Sequence, residues 1–243
     1  DWNHKYWIVD ISGEKIDTFT YTSIHNFNGN YALAFNGTKR TIIDSNGNQV
    51  IPFTDLVLEN LGDGFFRCKK DFFVLNNSKL VKLKVESLEK ISDGFYLITR
   101  NKFKGILSKS GEIVVAPKYS LISAQPNNLF IVAVKQKYGV YNPKGKLISK
   151  LVYDKIENYS DGLALVRKDG AFGFIDTLGN LKIPVQNRKA LPFSEGLAVV
   201  QQKGLFGFIN TANELVIPCK YSSAESFENG EAKVKERGRE FSI

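Results

Sequence analysis

Methionine is absent from this 243-residue chain, and histidine and cysteine occur only twice each. No run of about 18 apolar residues is present, so the sequence offers no candidate membrane-spanning helix. The cysteines, Cys68 and Cys219, lie far apart and neither belongs to a CxxC pair, which predicts two buried free thiols. Without a starting methionine, the chain begins at Asp1 either after a processed leader or at an artificial boundary.

The residue types that catalysis or metal binding needs are also scarce. His4 and His25 form neither an HxxxH nor an HxH pair, which predicts surface or capping histidines. No glycine-rich phosphate loop is present, and the segment 44–48 lacks the rest of a calcium-binding loop. The sequence therefore predicts no catalytic residue, no cofactor and no metal site, and we expect the protein not to be an enzyme.

Strand-forming residues, by contrast, are abundant. The chain has 18 phenylalanines and 10 tyrosines but only 7 prolines. No segment has a helical apolar period over eleven residues or more. This composition predicts an all-β fold.

A repeat of about 34 residues runs along the chain. Gly139, Gly173 and Gly207 are each 34 residues apart. The segment Tyr159-Ser160-Asp161-Gly162 recurs as Phe193-Ser194-Glu195-Gly196 with the same spacing. The pattern predicts a single repeat domain over 1–243, with seven units that begin near residues 7, 41, 73, 105, 139, 173 and 207.

These motifs resemble the bacterial WG-repeat family. The resemblance rests on an aromatic-Gly-aromatic-Ile-Asp motif, as in 172–176, followed by Val-Ile-Pro and by Phe-Ser-Glu-Gly-Leu-Ala, as in 193–198. The tryptophan of the family motif is Tyr138, Phe172 or Phe206 in this sequence. The resemblance implies a repeat-built scaffold and brings no known catalytic residue with it.

Each unit contains a predicted β-hairpin, for example 163–167 with 172–176 around a glycine turn. A third strand at 181–183 is expected to stop at Pro184, which lacks an N–H group. The segment 152–156 is a candidate fourth strand. The turn position of Gly179 requires positive φ, which asparagine also tolerates at the equivalent Asn213.

Two architectures fit seven such units, a closed β-propeller and an open solenoid of β-hairpins. We favour the propeller, because seven is within the range that closes and the half-unit 221–236 complements strands from 7 to 18. Phe241 weakens this closure hypothesis, since it competes with Trp7 for one position.

Positive charge is concentrated between Arg67 and Lys104, where ten basic and four acidic residues occur. This segment also departs most from the repeat, with Phe73 in place of the strand glycine and Lys79 in place of the turn glycine. Basic side chains interleaved with aromatic ones are typical of polyanion binding, whereas a solvated strand face is the simpler interpretation. The candidate binding residues are Lys69, Lys70, Phe72, Lys82, Lys84 and Tyr96.

The sequence thus predicts a non-catalytic repeat scaffold that binds a protein or a glycan. The alternative is binding of a polyanion, either nucleic acid or acidic polysaccharide, through 67–104. The missing methionine and the strand surfaces rich in Asn, Lys and Ser favour export or display on a bacterial cell surface.

We expect the far-ultraviolet circular dichroism spectrum to be dominated by β-structure. A helical fraction above about one third, the level of an average globular domain, would contradict the all-β prediction.

Overall fold

The computed structural model describes residues 5–9, 12–15 and 20–243. Within them the chain forms 25 strands and one short 3-10 helix, η1, at Pro126–Asn128. The strands assemble into seven antiparallel sheets of three or four strands, which follow one another along the sequence. The prediction of an all-β tandem-repeat fold with small, propeller-like sheets is therefore confirmed.

The strands of sheets 1 to 3 are β1 (Ser23–Ile24), β2 (Tyr31–Asn36) and β3 (Lys39–Asp44); β4 (Glu59–Gly62), β5 (Phe65–Cys68), β6 (Asp71–Asn76) and β7 (Lys79–Leu83); and β8 (Ser87–Ser92), β9 (Phe95–Arg100), β10 (Phe103–Ser108) and β11 (Ile113–Tyr119). Sheets 4 and 5 contain β12 (Leu121–Gln125), β13 (Leu129–Val134), β14 (Lys137–Tyr141) and β15 (Leu147–Tyr153); and β16 (Lys155–Ser160), β17 (Leu163–Lys168), β18 (Ala171–Asp176) and β19 (Leu181–Asn187). Sheets 6 and 7 contain β20 (Leu197–Gln202), β21 (Leu205–Asn210) and β22 (Leu215–Tyr221); and β23 (Ser223–Ala224), β24 (Lys233–Glu236) and β25 (Arg239–Ser242).

The chain divides into two compact units, Asp1–Pro117 and Lys118–Ile243. The single repeat domain over 1–243 stays a prediction. Phe241 lies in β25, the third strand of sheet 7, which is the position that the closure hypothesis gave to Trp7. Closure of the sheets into a ring stays a prediction as well.

Sheet 5 shows how one repeat folds. The predicted hairpin is correct, since β17 pairs with β18 from Leu163↔Asp176 to Lys168↔Ala171. The expected stop at Pro184 is wrong, because β19 runs through it and absorbs it in a bulge between the pairs Phe172↔Asn187 and Phe174↔Ile183. A bulge tolerates proline because its residues leave the hydrogen-bond ladder.

The candidate fourth strand 152–156 is also wrong as a single strand. It is a corner, since β15 ends at Tyr153 and β16 of the next sheet begins at Lys155. At the corner, the amide of Asp154 donates to the carbonyl of Arg167 at 2.8 Å. The repeat that begins near residue 139 therefore contributes its first two strands, β14 and β15, to sheet 4 and its last two, β16 and β17, to sheet 5.

A glycine in the third strand of most sheets faces the bulge of the fourth. A Cβ on Gly105, Gly139, Gly173 or Gly207 would lie 2.5–2.7 Å from a carbonyl oxygen of that neighbouring strand. Such a distance is too short for a side chain, so the position requires glycine. In sheet 1 the equivalent residue is the buried Thr41, whose hydroxyl donates to the carbonyl of Ile51.

Sheet 2 solves the same problem differently. Phe73 stands at the glycine position, and β6 pairs with β7 in unbroken register from Phe72↔Leu83 to Asn76↔Lys79. The sequence predicted Lys79 in the turn, but Lys79 is the first residue of β7. The turn is the pair Asn77-Ser78, with φ of 45° and 59°, because a bulge-free hairpin closes with a two-residue turn.

Within each of the two compact units, consecutive sheets pack through apolar side chains. In one such cluster Phe174, Ile183 and Val200 are completely buried, and the Phe174 and Phe193 rings meet edge-on with centroids 4.7 Å apart. Cys68 and Cys219 are free, as expected, but half-buried rather than buried.

The turn position of Gly179 has φ of 83°, as predicted, and Asn213 has φ of 66°. A Cβ on Gly179 would also overlap the carbonyl of Ile148 in the preceding sheet. We therefore expect Gly179→Val to lower the free energy of unfolding by at least about 2 kcal/mol, and Asn180→Ala by less than about 1 kcal/mol.

Gly162 separates backbone strain from packing, because it has φ of 77° but nothing within 4 Å of an added Cβ. Gly162→Ala should destabilise less than Gly179→Ala in denaturant unfolding. Equal losses would mean that the contact with Ile148 contributes nothing.

Candidate anion-binding surface

Every sheet has a two-residue turn between its second and third repeat strands, which we name the central turn. The first residue of each has φ between 49° and 60°, as two-residue hairpin turns require. The central turns are residues 37–38, 69–70, 101–102, 135–136, 169–170, 203–204 and 237–238.

The corner before a sheet holds that sheet's central turn in place. The Asp154 carboxylate accepts a hydrogen bond from the amide of Asp169 at 2.9 Å and pairs with Lys137 of the preceding sheet at 2.6 Å. The bond from Lys137 holds the pKa of Asp154 below its usual value. Glu86 acts similarly, accepting from the amide of Asn101 at 2.7 Å. With Gly37, whose amide donates to the hydroxyl of Thr22 at 3.1 Å, the central turns of sheets 1, 3 and 5 are positioned in this way.

The central turns carry a large net positive charge. With two flanking residues on each side, they contain sixteen basic and four acidic residues, a net charge of +12, whereas the whole chain has +8. Fourteen of the sixteen form no ion pair in the described part of the chain; the exceptions are Arg67 with Glu59 and Lys137 with Asp154.

The turns that precede the second repeat strand, the leading turns, have the opposite charge. They are residues 29–30, 63–64, 93–94, 127–128, 161–162, 195–196 and 229–230, and with two flanking residues on each side they contain six acidic residues and no basic one. Several of these acids bind the next sheet: Asp161 accepts from the amide of Gly196, and Glu195 from those of Asn229 and Gly230, all at 2.8 Å.

Asp63 is the leading-turn acid with the strongest side-chain partners. One of its oxygens accepts from Lys90 at 2.7 Å and from the hydroxyl of Tyr96 at 2.6 Å. The bonds from Lys90 and Tyr96 lower the pKa of Asp63. Burial, more than the bond to Asp63, raises the pKa of Tyr96.

Four of the six predicted binding residues lie together at one end of sheet 2. Lys69 and Lys70 form its central turn, and Lys82 and Lys84 lie near the end of β7, which adjoins that turn. All four are exposed, and Lys82 pairs with Asp71 at 2.6 Å.

The other two do not reach the surface. Tyr96 is 2% exposed and Phe72 is 9% exposed, so the stacking role that we expected for these rings does not fit their positions. Both occupy inward-facing positions of an alternating strand, and the high charge of the segment obscured that alternation.

Sequence reasoning also missed ten of these sixteen basic residues, Lys39 and Arg40 of sheet 1 and eight in sheets 4 to 7. Composition alone points to 67–104, but the central turns of the other sheets carry positive charge as well, although their local composition is balanced by acids elsewhere in each repeat. The signal was the position of the cations within the repeat, shortly before the aromatic-glycine motif. The missed residues of sheets 4 to 7 are Lys135, Lys137, Arg167, Lys168, Lys203, Lys235, Arg237 and Arg239.

The two histidines were the remaining candidates from the sequence. His25 is exposed, as predicted, and its ring lies 4.6 Å from that of Phe35, whereas His4 lies outside the described residues. In the described part of the chain, no group of three or more His, Cys, Asp or Glu side chains is arranged to hold a metal. No helix found there is long and apolar enough to cross a membrane.

Four consecutive segments, 105–138, 138–170, 172–206 and 206–239, match the model of the WG containing repeat and cover more than half of the chain. The chain belongs to the WG-repeat family. No curated protein matches it.

Several solved structures resemble this WG-repeat chain. A eukaryotic initiation factor matches at 12% identity and a TM-score of 0.42, over 74% of this chain, and the match spans 58% of the factor. Hsv2 of Kluyveromyces lactis matches at 9% identity and a TM-score of 0.34, over 86% of this chain and 88% of the Hsv2 chain. The WD40 domain of Sif2 matches at 11% identity and a TM-score of 0.32, over 84% of this chain and 75% of the Sif2 chain.

We expect Asp63→Asn to lower the free energy of unfolding at neutral pH by about 1–3 kcal/mol, because the hydrogen bonds to a charged acceptor are weakened. Asparagine tolerates the φ of 50° at this position. Since the pKa of Asp63 is lower in the folded state, its contribution is complete above its unfolded pKa, near 3.8, and is lost as the pH falls through the folded value.

The difference between the wild type and Asp63→Asn should therefore stay constant from pH 7 to about 5 and shrink below about 4. Asp93→Asn, the equivalent change in sheet 3, is the control and should cost less than about 0.5 kcal/mol. A difference that persists unchanged at pH 3 would contradict the assigned role of the carboxylate.

Proposed function

We propose that this WG-repeat chain is a non-catalytic scaffold that binds an acidic glycan through its central turns. The observation that carries the proposal is the separation of charge, with basic central turns and acidic leading turns. Scattered charges of both signs would be sufficient for solubility. Membership of a repeat family supports a scaffold rather than a catalytic role.

The described geometry suits a polyanion. The central turns of sheets 1, 3 and 5 are held by hydrogen bonds from the corners, so little backbone ordering is needed there when a ligand binds. Their cations are mostly unpaired, so they can attract an anionic polymer without first breaking internal ion pairs. Binding of this kind releases counterions and becomes weaker as the salt concentration rises.

The aromatic side chains favour a glycan over single-stranded nucleic acid. Nucleic acid binders of that class present open rings on which bases stack. Of the aromatic residues within the central-turn segments, only Phe103 is exposed, at 46%. Arg167 covers Phe172 at 5.9 Å and Arg40 covers Phe35 at 5.4 Å, so these rings are already occupied by cations.

The test is heparin binding across a salt series by two double variants of equal charge. Lys70→Glu with Lys102→Glu changes two exposed central-turn cations, whereas Lys144→Glu with Lys146→Glu changes two exposed cations on the opposite turn of sheet 4. We expect the first pair to weaken binding at least about tenfold at low salt and to reduce the slope of log K against log salt by about two. The second pair should change both much less.

Equal losses in the two double variants would mean that only the net charge matters and would contradict a central-turn site. Single-stranded DNA, measured under the same conditions, should bind more weakly than heparin. Stronger binding of DNA would instead support the nucleic acid alternative, and no binding of either polymer at low salt would leave a protein partner as the better proposal.

A further inference from the structure

The outer edge of sheet 2 differs from those of sheets 4, 5 and 6. Its last strand, β7, pairs with β6 in unbroken register, as β25 does with β24 in sheet 7, whereas β15, β19 and β22 have register shifts against their neighbours. Three other outer strands also contain a proline, at Pro117, Pro184 and Pro218. Bulges and prolines protect sheet edges from pairing with another strand, so β7 is comparatively open.

The free hydrogen-bonding groups of β7 are set by its turn. Asn76 and Lys79 flank a two-residue turn and therefore form a hydrogen-bonded pair. Every second residue of β7 then points its N–H and C=O groups away from β6, which leaves those of Leu80 and Lys82 directed outward. In the described residues these outward groups have no partner, whereas the next one, the carbonyl of Lys84, accepts from Arg100 at 2.7 Å.

A groove adjoins the start of this edge. It has a volume of 440 Å3 and is lined by Pro52, Phe53 and Leu56, which follow β3, and by Ser78, Lys79 and Leu80. Leu56 and Val81 of β7 are both exposed, at 41% and 46%. An apolar side chain of an added strand would be buried here beside Leu80.

We propose that β7 binds an extended acidic peptide segment of a partner protein, which adds a fifth strand to sheet 2. Main-chain hydrogen bonds to Leu80 and Lys82 would hold the segment. One apolar side chain would enter the groove on the face of Leu80, and acidic side chains on the opposite face would lie beside Lys79. A second copy of this chain is a poorer occupant, because edge-to-edge pairing of two β7 strands would place lysines opposite lysines.

The probe is a blocked seven-residue peptide of alternating glutamate and valine, whose binding is followed by fluorescence anisotropy and by the amide resonances of the protein. We expect the amide signals of Leu80 and Lys82 to shift and their hydrogen exchange to slow when the peptide binds. The central-turn variants that test glycan binding leave these main-chain groups intact, so the two proposals can fail separately.

Lys82→Pro and Lys82→Ala form the matched pair of variants. Both lose the ammonium group and its ion pair with Asp71, but only proline removes the outward N–H, and at this position it breaks no bond to β6. We expect Lys82→Pro to bind the peptide about fivefold to tenfold more weakly than Lys82→Ala, the effect of one lost hydrogen bond. Thermal unfolding of both variants checks that proline has not unfolded the sheet.

A second comparison changes only the peptide. N-methylation of a residue whose amide faces β7 should abolish binding, whereas N-methylation of the next residue should leave it nearly unchanged, because alternate amides of a strand point in opposite directions. Equal affinities of Lys82→Pro and Lys82→Ala, equal effects of the two methylations, or no binding at 1 mM peptide would overturn the proposal. The proposal would also be overturned if the free protein were a dimer and Lys82→Pro dissociated it, because β7 would then pair with a second copy of the chain.

Discussion

The close approach of the fourth strand to the third is the constraint on which the repeat depends. At Gly139, Gly173 and Gly207 a carbonyl oxygen of the bulged fourth strand occupies the space of a side chain. The bulge leaves the hydrogen-bond ladder and carries the chain toward the corner where the next sheet begins. A glycine once per repeat is therefore a requirement of packing, and Thr41 meets it only because its hydroxyl binds the opposing carbonyl.

Sheet 2 shows the effect of releasing this constraint. With Phe73 at the glycine position the bulge is absent, and β7 runs straight along β6. The benefit is a regular ladder; the consequence is an edge whose outward N–H and C=O groups are no longer distorted away from pairing. The weakest match to the repeat thus coincides with a strand edge that lacks the bulge of sheets 4, 5 and 6, and both have one cause, a side chain where those sheets have a glycine.

Much of this fold is determined by local sequence rules. The period, the hairpin of 163–176 and the positive φ of Gly179 and Asn213 were predictable, because each depends on residues close together in the chain. The grouping of strands into sheets was not, since a periodic sequence has no marked beginning and the corner at Asp154 reads as an ordinary strand. Of the candidate site, the lysines of 67–104 were found by composition, whereas the burial of Tyr96 depends on packing between sheets.

The acidic residues of the leading turns and the basic residues of the central turns contribute differently to the fold. Acids at the leading turns accept hydrogen bonds from the next sheet, as Asp161 and Glu195 do, so replacing them disturbs contacts between sheets. Most cations at the central turns have no such partner. The backbone of the turn is held by Asp154 in sheet 5 and by Glu86 in sheet 3. A rigid backbone that carries unengaged side chains allows those side chains to vary without affecting folding. The recurrence of positive charge at the central turn of each sheet is therefore the basis of the proposal that these turns bind an acidic ligand.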